Sequence, residues 1–255
     1  MTRGACALTA IVCWTAAVCS GATDPFVGKW TLNASRSAIA DQMTIQAAGK
    51  DAYTLTFAGS PETETVAADG KDHPGVYGTT VSVTIREDGT WKIERKNQGR
   101  TVLTAIWKLS GDGKTLSDAF TSDRPDGSSF TITMVYRRAA GTAGIPGTWE
   151  TTDVKLDGVH TLEIRPYAGD GLSFISSDAP SPKDVTFDGK EHLNSAGMAS
   201  AGRRSGPLSL ELTDKMNGKL VDTRKVTVSA DLKTLTVMVH LTGQRLPSTF
   251  VFDRD

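Results

Sequence analysis

The chain has 255 residues, of which 38% are hydrophobic and 22% are charged, and its formal net charge is −1. This composition is too apolar for a disordered chain, and it lacks the basic excess by which proteins bind nucleic acids. The length allows one large domain or two small domains. We therefore expect a globular protein that has no nucleic-acid partner.

The first 22 residues have the pattern of a secretory signal peptide. Arg3 supplies a positive charge, an apolar run follows at 5–18, and small residues occupy 20–22, which is the order typical of such peptides. We expect cleavage after Ala22 and export to the periplasm or the outside of the cell. All three cysteines lie in this segment, so the mature chain would have neither a disulfide nor a cysteine-based metal site. No later apolar run is long enough to cross a bilayer, so membrane insertion is not expected.

The rest of the chain is a tandem repeat. Gly28 and Trp30 recur as Gly147 and Trp149, an offset of 119, and without any gap this offset gives 20 identities in the 89 pairs from 28 to 116. Unrelated sequences of ordinary composition would match at about one position in sixteen. The small residues at 139–144 have no apolar pattern and read as a linker. We predict domains at 23–140 and 141–255.

Both repeats show the signals of antiparallel strands. Apolar residues alternate with polar ones at 81–86, 208–212 and 235–241, and repeated Asp-Gly pairs favour tight hairpin turns. One short helical turn is predicted from Ala34 to Asp41. The sequence therefore predicts an all-β protein of two small antiparallel barrels, each of roughly eight strands so that no sheet edge is left open. Two β-sandwiches, or one larger barrel shared by both repeats, are the alternatives.

Three motifs in fixed order, each present twice, resemble a known family. Gly-x-Trp at 28–30 and 147–149, Asp-Gly-Lys at 69–71 and 188–190, and Lys-Thr-Leu at 114–116 and 233–235 are similar to those of secreted bacterial lipocalin-like proteins, a functionally uncharacterised group. The resemblance covers about 230 residues. It implies calycin-type barrels in which an Arg of the last strand packs over the Trp. Arg137 or Arg138, and Arg254, stand where that Arg would be.

Aromatic and imidazole side chains are the candidates for ligand contacts. They are Trp30, His73, Tyr77, Trp91, Trp107, Trp149, His160 and His192. Trp30 and Trp149 fit best as structural plugs, each in the barrel of its own repeat, because a large buried aromatic side chain stabilises a core through its area. Trp91 and Trp107 occupy positions that are apolar in both repeats and suit a barrel wall.

The histidines are the candidates for chemistry. His73 and His192 each follow a carboxylate, Asp72 and Glu191, and imidazole titrates near neutrality. Each is either a polar anchor or general base at a barrel mouth, or a solvated residue after a tight turn. The strand parity of His160 turns it inward. No catalytic set is evident and no two histidines have a metal-ligand spacing, so neither a metal nor another cofactor is predicted.

These observations favour a non-enzymatic, exported protein that binds a small apolar or amphipathic molecule inside its barrels. One alternative is a barrel enzyme of the isomerase, cyclase or hydratase type, and another is a structural module with filled barrels. A cavity of about 300 Å³ or more would support a ligand. A His or carboxylate in that cavity, beside a second titratable group, would favour the enzyme.

Overall fold

The computed structural model describes residues 24–124, 126–179, 181–193 and 197–255. The predicted signal peptide lies outside these residues. The described chain is almost entirely β, and its strands form two antiparallel sheets of ten strands each. The predicted all-β fold of two barrels is therefore confirmed, with ten strands in place of about eight. The alternative of one larger shared barrel is wrong, because the two sheets are separate.

Ten strands lie in the first half of the chain. They are β1 (Gly28–Leu32), β2 (Gln42–Gly49), β3 (Ala52–Phe57), β4 (Glu64–Ala67), β5 (His73–Pro74), β6 (Thr80–Ile85), β7 (Trp91–Asn97), β8 (Arg100–Leu109), β9 (Thr115–Asp123) and β10 (Ser129–Ala140). Two 3-10 turns occur at Ala34–Arg36 and Val76–Gly78. The helical turn predicted for 34–41 is thus limited to its first three residues.

Ten further strands lie in the second half. They are β11 (Gly147–Asp157), β12 (Thr161–Tyr167), β13 (Gly171–Ser176), β14 (Lys183–Val185), β15 (His192–Leu193), β16 (Met198–Gly206), β17 (Ser209–Met216), β18 (Lys219–Val228), β19 (Thr234–Leu241) and β20 (Ser248–Arg254). At the offset of 119, β2 corresponds to β12, and the later strands follow in the same order.

The first strand of each repeat is exchanged between the two sheets. β1 lies between β12 and β20, whereas β11 lies between β2 and β10. The first barrel is therefore β2–β11, and the second barrel is β1 with β12–β20. The boundary predicted at 140/141 separates the repeats in sequence, but both sheets cross it. Because both Gly-x-Trp strands have the same pattern, the sequence does not reveal which barrel each one completes.

Alternating side chains give each barrel its own core. The inward set of the first barrel includes Trp149, and that of the second barrel includes Trp30. The expectation that each Trp plugs the barrel of its own repeat is therefore wrong. Near the sheet ends, β4 contacts β6 and β14 contacts β16, so each sheet curls until it is nearly closed. Curling of this kind leaves little unpaired strand edge exposed to solvent.

The Gly-x-Trp strand is fixed by an arginine in both barrels. The Arg254 guanidinium lies 4.0 Å from the Trp30 ring centroid, and that of Arg138 lies 4.2 Å from the Trp149 ring. A Cβ at Gly28, where φ is +148°, would lie 2.7 Å from Arg254 Nη1. Glycine is needed here because it tolerates both this backbone conformation and the guanidinium against it. The Arg position implied by the resemblance is occupied by Arg138 and Arg254.

The two barrels also contact each other through strand ends and loops. The Ser248 hydroxyl donates to the Ala40 carbonyl at 2.9 Å, and Arg124 at a hairpin end of the first barrel donates through Nε to Asp178 of the second at 3.0 Å. Within the described ranges, no helix is long and apolar enough to cross a membrane.

Candidate functional site

The first barrel encloses a cavity of about 320 Å³. Its wall is mostly apolar, because the inward positions of six strands carry aliphatic and aromatic residues. They include Leu55, Val81, Ile93, Ala105, Phe120 and Met134. Polar groups reach the same cavity at three places, and each place has a different hydrogen-bonding state.

Asp118 and Trp107 form the first polar place. They lie opposite each other on the paired strands β8 and β9, and they are only 8% and 3% exposed. Asp118 Oδ1 and Trp107 Nε1 are both buried without a hydrogen-bond partner in the described chain. Burial raises the pKa of Asp118 to about 7, an effect that the indole N–H of Trp107 opposes and the carboxylate of Asp41 reinforces. With a pKa of about 7, Asp118 is partly protonated at neutral pH, and the nearby Trp107 N–H makes no hydrogen bond of normal geometry.

Tyr136 and Asp41 form the second polar place. The Tyr136 hydroxyl donates to Asp41 Oδ2 at 2.7 Å. Burial, together with the charges of Asp41 and Asp118, raises the pKa of Tyr136 above its usual value. The phenol consequently stays protonated and satisfies the Asp41 carboxylate from within the protein.

Glu64 and Arg95 form the third polar place. Arg95 binds both carboxylate oxygens of Glu64, at 2.9 and 2.6 Å, and donates to the Thr79 hydroxyl at 2.8 Å. The backbone N–H of Val76 donates to the same carboxylate. Burial alone would raise the pKa of Glu64, but the bonds from Arg95 and Val76 outweigh it and lower that pKa. This pair is internally satisfied, so the free hydrogen-bonding capacity of the cavity lies at Asp118 and Trp107.

The second barrel has a smaller cavity at the corresponding place, of about 260 Å³. Its wall includes Leu162, Val237, Phe250 and Phe252. Val237 stands at the offset position of Asp118, so the carboxyl group of the first cavity has no counterpart here.

Ionised side chains occupy the interior of the second barrel. Arg224, which corresponds to Ala105 at the offset of 119, binds Asp222 through two hydrogen bonds of 2.8 and 2.9 Å. Asp214 is fully buried, pairs with Lys183 and accepts a hydrogen bond of 2.6 Å from the Ser200 hydroxyl. Arg224 thus occupies volume that the methyl group of Ala105 leaves empty in the first barrel.

The predicted aromatic candidates fall into two groups. Trp30 and Trp149 are fully buried, and their indole N–H groups donate to the carbonyls of Phe26 and Ile145. Trp91 is also a core residue and stacks on Trp107 at a centroid distance of 6.3 Å. Only Trp107 of these four lines the first cavity.

The predicted histidines and Tyr77 are dispersed. His73 and His192 are partly exposed and bond through Nε2 to Asp69 and Asp188, four residues earlier. The carboxylates that directly precede them pair with lysines instead. Tyr77 is 57% exposed. His160 differs, because it is only 7% exposed and lines the second cavity, as its strand parity predicted.

Asp118 and Tyr136 were not among the residues predicted from the sequence. Asp118 lies between Leu116 and Phe120 on the inward face of β9. A carboxylate at an apolar-face position is a signal that could have been found, since an Asp side chain is almost never fully buried unless it is paired. Tyr136 lies opposite Leu116, and its parity also pointed inward.

Comparison of the chain with protein-family models, with curated proteins and with solved structures finds no match. The lipocalin-like resemblance therefore stays a prediction. No cluster of three or more His, Cys, Asp or Glu side chains suited to a metal ion occurs in the part of the chain that the structure describes.

Proposed function

We propose that the protein binds a small, largely apolar molecule in the first-barrel cavity. The observation that carries this proposal is the apolar cavity of about 320 Å³ with two unpartnered polar atoms, Asp118 Oδ1 and Trp107 Nε1, in its wall. Binding pockets commonly combine an apolar lining with a few placed polar groups, and their volumes begin at about 300 Å³.

The polar pair also indicates what the molecule carries. The Trp107 indole can only donate a hydrogen bond, and a protonated Asp118 has an O–H to donate. A carbonyl oxygen accepts from both groups, and the rest of such a ligand would contact Val81, Ile93 and Met134. Leaving buried donors unpaired costs about 1–3 kcal/mol each. A ligand carbonyl that removes this cost binds more tightly than a hydrocarbon of the same size.

Nuclear magnetic resonance of the indole N–H groups tests the proposal, with 2-octanone as the probe. We expect a saturable shift of the Trp107 indole signal, which a Trp107→Phe variant identifies. Ala105→Phe fills the cavity and should abolish the shift. Lys108→Phe, on the outer face of the same strand, is the matched control and should retain it. No saturable shift in the wild type, or an equal shift in Ala105→Phe, would contradict the proposal.

A second candidate is an isomerase-type enzyme, and Asp118 is the observation that favours it. Burial gives this carboxyl a pKa of about 7, which suits a group that exchanges protons near neutrality. Asp118 would take a proton from the carbon next to a ligand carbonyl and return it, while Trp107 donates to the oxygen. Such an enzyme exchanges deuterium into 2-octanone in D₂O, and Asp118→Asn loses the exchange. A binding protein leaves the ketone unlabelled.

A further inference from the structure

The wall of the second-barrel cavity contains a buried imidazole, that of His160, whose Nε2 makes no hydrogen bond within the described chain. His160 is 7% exposed and lines the cavity, and its Nδ1 lies 2.7 Å from Asp178 Oδ2. Its Nε2 is buried without a hydrogen-bond partner in the described chain. Unpaired buried polar atoms are uncommon in native proteins and call for a specific explanation.

The surroundings of Asp178 fix which nitrogen of this imidazole carries a proton. Burial raises the pKa of Asp178, but hydrogen bonds from His160, Arg124 and Ser177 outweigh it and lower that pKa, so the group is a carboxylate. A carboxylate accepts hydrogen bonds and cannot donate one. Nδ1 of His160 must therefore carry a proton, so in the neutral form of the ring Nε2 presents a lone pair.

The first barrel shows why that lone pair is left free. At the offset of 119, His160 corresponds to Asp41, whose carboxylate accepts the Tyr136 hydroxyl at 2.7 Å. Tyr136 lies opposite Leu116, and the residue in the equivalent pairing with Leu235 is Phe252. The second barrel thus keeps the acceptor but lacks the internal hydroxyl that satisfies it in the first.

We infer that the second-barrel cavity is a separate binding site for a small apolar molecule that bears a hydroxyl group, which donates to His160 Nε2. The ligand hydroxyl takes the place that the Tyr136 hydroxyl has in the first barrel. Leu162, Val237 and Phe250 supply the apolar wall. Arg224 also lines the cavity, but Asp222 already neutralises it. This site stands independently of the carbonyl site proposed for the first barrel.

The imidazole nitrogens of the full-length protein, labelled with ¹⁵N-histidine, provide a direct readout. The chain has four histidines, so the other three serve as internal references. The probe is 1-heptanol, and 1-methoxyhexane is its control because it has the same number of heavy atoms and no O–H. We expect 1-heptanol to shift the Nε2 signal of His160 saturably and to bind about tenfold more tightly than the ether, the gain from about one hydrogen bond. Equal affinity for both probes would overturn the inference.

Two variants separate this site from the first. His160→Leu should reduce the affinity for 1-heptanol to that for the ether, while His240→Leu, on the outer face of β19, should leave it unchanged. Ala105→Phe fills only the first cavity, so it should leave the His160 shift intact. Loss of that shift in Ala105→Phe would place the alcohol in the first barrel and overturn the inference. If His160→Leu does not fold, the wild-type comparison of alcohol and ether still decides.

Discussion

The two barrels share a frame but differ in their interiors. Both keep the glycine, the tryptophan beneath an arginine and the order of strands. Inside, the first barrel has Ala105 beside an open, mostly apolar cavity, whereas the second has Arg224 at the same offset. The shared glycine, tryptophan and arginine determine strand pairing, whereas the interior side chains determine which molecules the cavity accepts. The interior of one copy can therefore change without loss of the fold.

The buried ion pairs also differ between the two barrels. Glu64 and Arg95 pair in the first barrel, and the residues at the same offset, Lys183 and Asp214, pair in the second with the charges reversed. A buried pair can be reversed in sign because its electrostatic attraction does not depend on which strand carries which charge. The single replacement of either partner is costly, because it leaves a buried charge unpaired.

The largest effect is expected when a chain cut to contain one whole barrel is compared with a chain cut to contain one sequence repeat. A chain of residues 40–158 contains every strand of the first barrel, and we expect it to unfold in one cooperative thermal transition. A chain of residues 24–140 contains one complete repeat but lacks β11, so we expect no such transition. Circular dichroism during heating measures both. Equal cooperativity in the two chains would mean that β1 can replace β11.

Replacing each buried tryptophan should destabilise the barrel that its strand completes, and not the barrel that holds the rest of its own repeat. Trp149→Ala should destabilise the first barrel by about 3–5 kcal/mol, the usual cost of deleting a large buried aromatic side chain. Trp30→Ala should do the same to the second barrel. Amide hydrogen exchange of β8 and β18 reads the two barrels separately. Loss of protection in β18 for Trp149→Ala would show that the strands are not exchanged.

Breaking the ion pairs should affect the second barrel more. Asp214→Leu leaves the cation Lys183 unpaired inside the barrel, while Arg224 keeps its partner Asp222, and a cost of about 3–5 kcal/mol is expected for a broken buried pair. Arg95→Leu should cost less, because the Glu64 carboxyl that it leaves behind keeps the hydrogen bond from the Val76 N–H and can take up a proton. Urea unfolding of each variant measures the difference. Equal costs would mean that the unpaired Glu64 carboxyl is as unfavourable in the first barrel as the unpaired Lys183 ammonium is in the second.

The pH dependence of stability should differ between wild type and Asp118→Asn. Burial raises the pKa of Asp118 to about 7 in the folded protein, above about 3.9 in an unfolded chain. The stabilising contribution is therefore complete below pH 4 and is lost as pH rises through 7. Relative to Asp118→Asn, the wild type should lose about 2 kcal/mol between pH 5.5 and pH 7. A constant difference between the two proteins would show that Asp118 is ionised throughout.

Much of the fold could be predicted from the sequence, because alternation and Asp-Gly turns are local signals. The repeat offset gave two barrels, and the parity of His160 placed it inside. The exchange of β1 and β11 could not be predicted, since Trp30 and Trp149 lie in strands that fit either barrel. The cavities could not be predicted either, because their volume depends on how side chains from six or more strands meet. The free nitrogen of His160, for example, follows from Phe252, 92 residues later.

The smallest effects are expected at His73 and His192, the conspicuous histidines of the sequence. Each bonds to the Asp that opens its own turn, at 2.9 Å for His73 and 3.0 Å for His192, and exposed side-chain contacts of this kind contribute little to stability. In both turns the Asp also accepts a backbone N–H, from Lys71 in the first, so the turn keeps its main support without the imidazole. His73→Gln and His192→Gln should each lower the midpoint of thermal unfolding by less than about 2 °C. Neither should change the affinity for 2-octanone or 1-heptanol, since neither side chain lines a cavity identified in the barrels. A tenfold loss of affinity in one variant would show that a barrel mouth, and not only its interior, contacts the ligand.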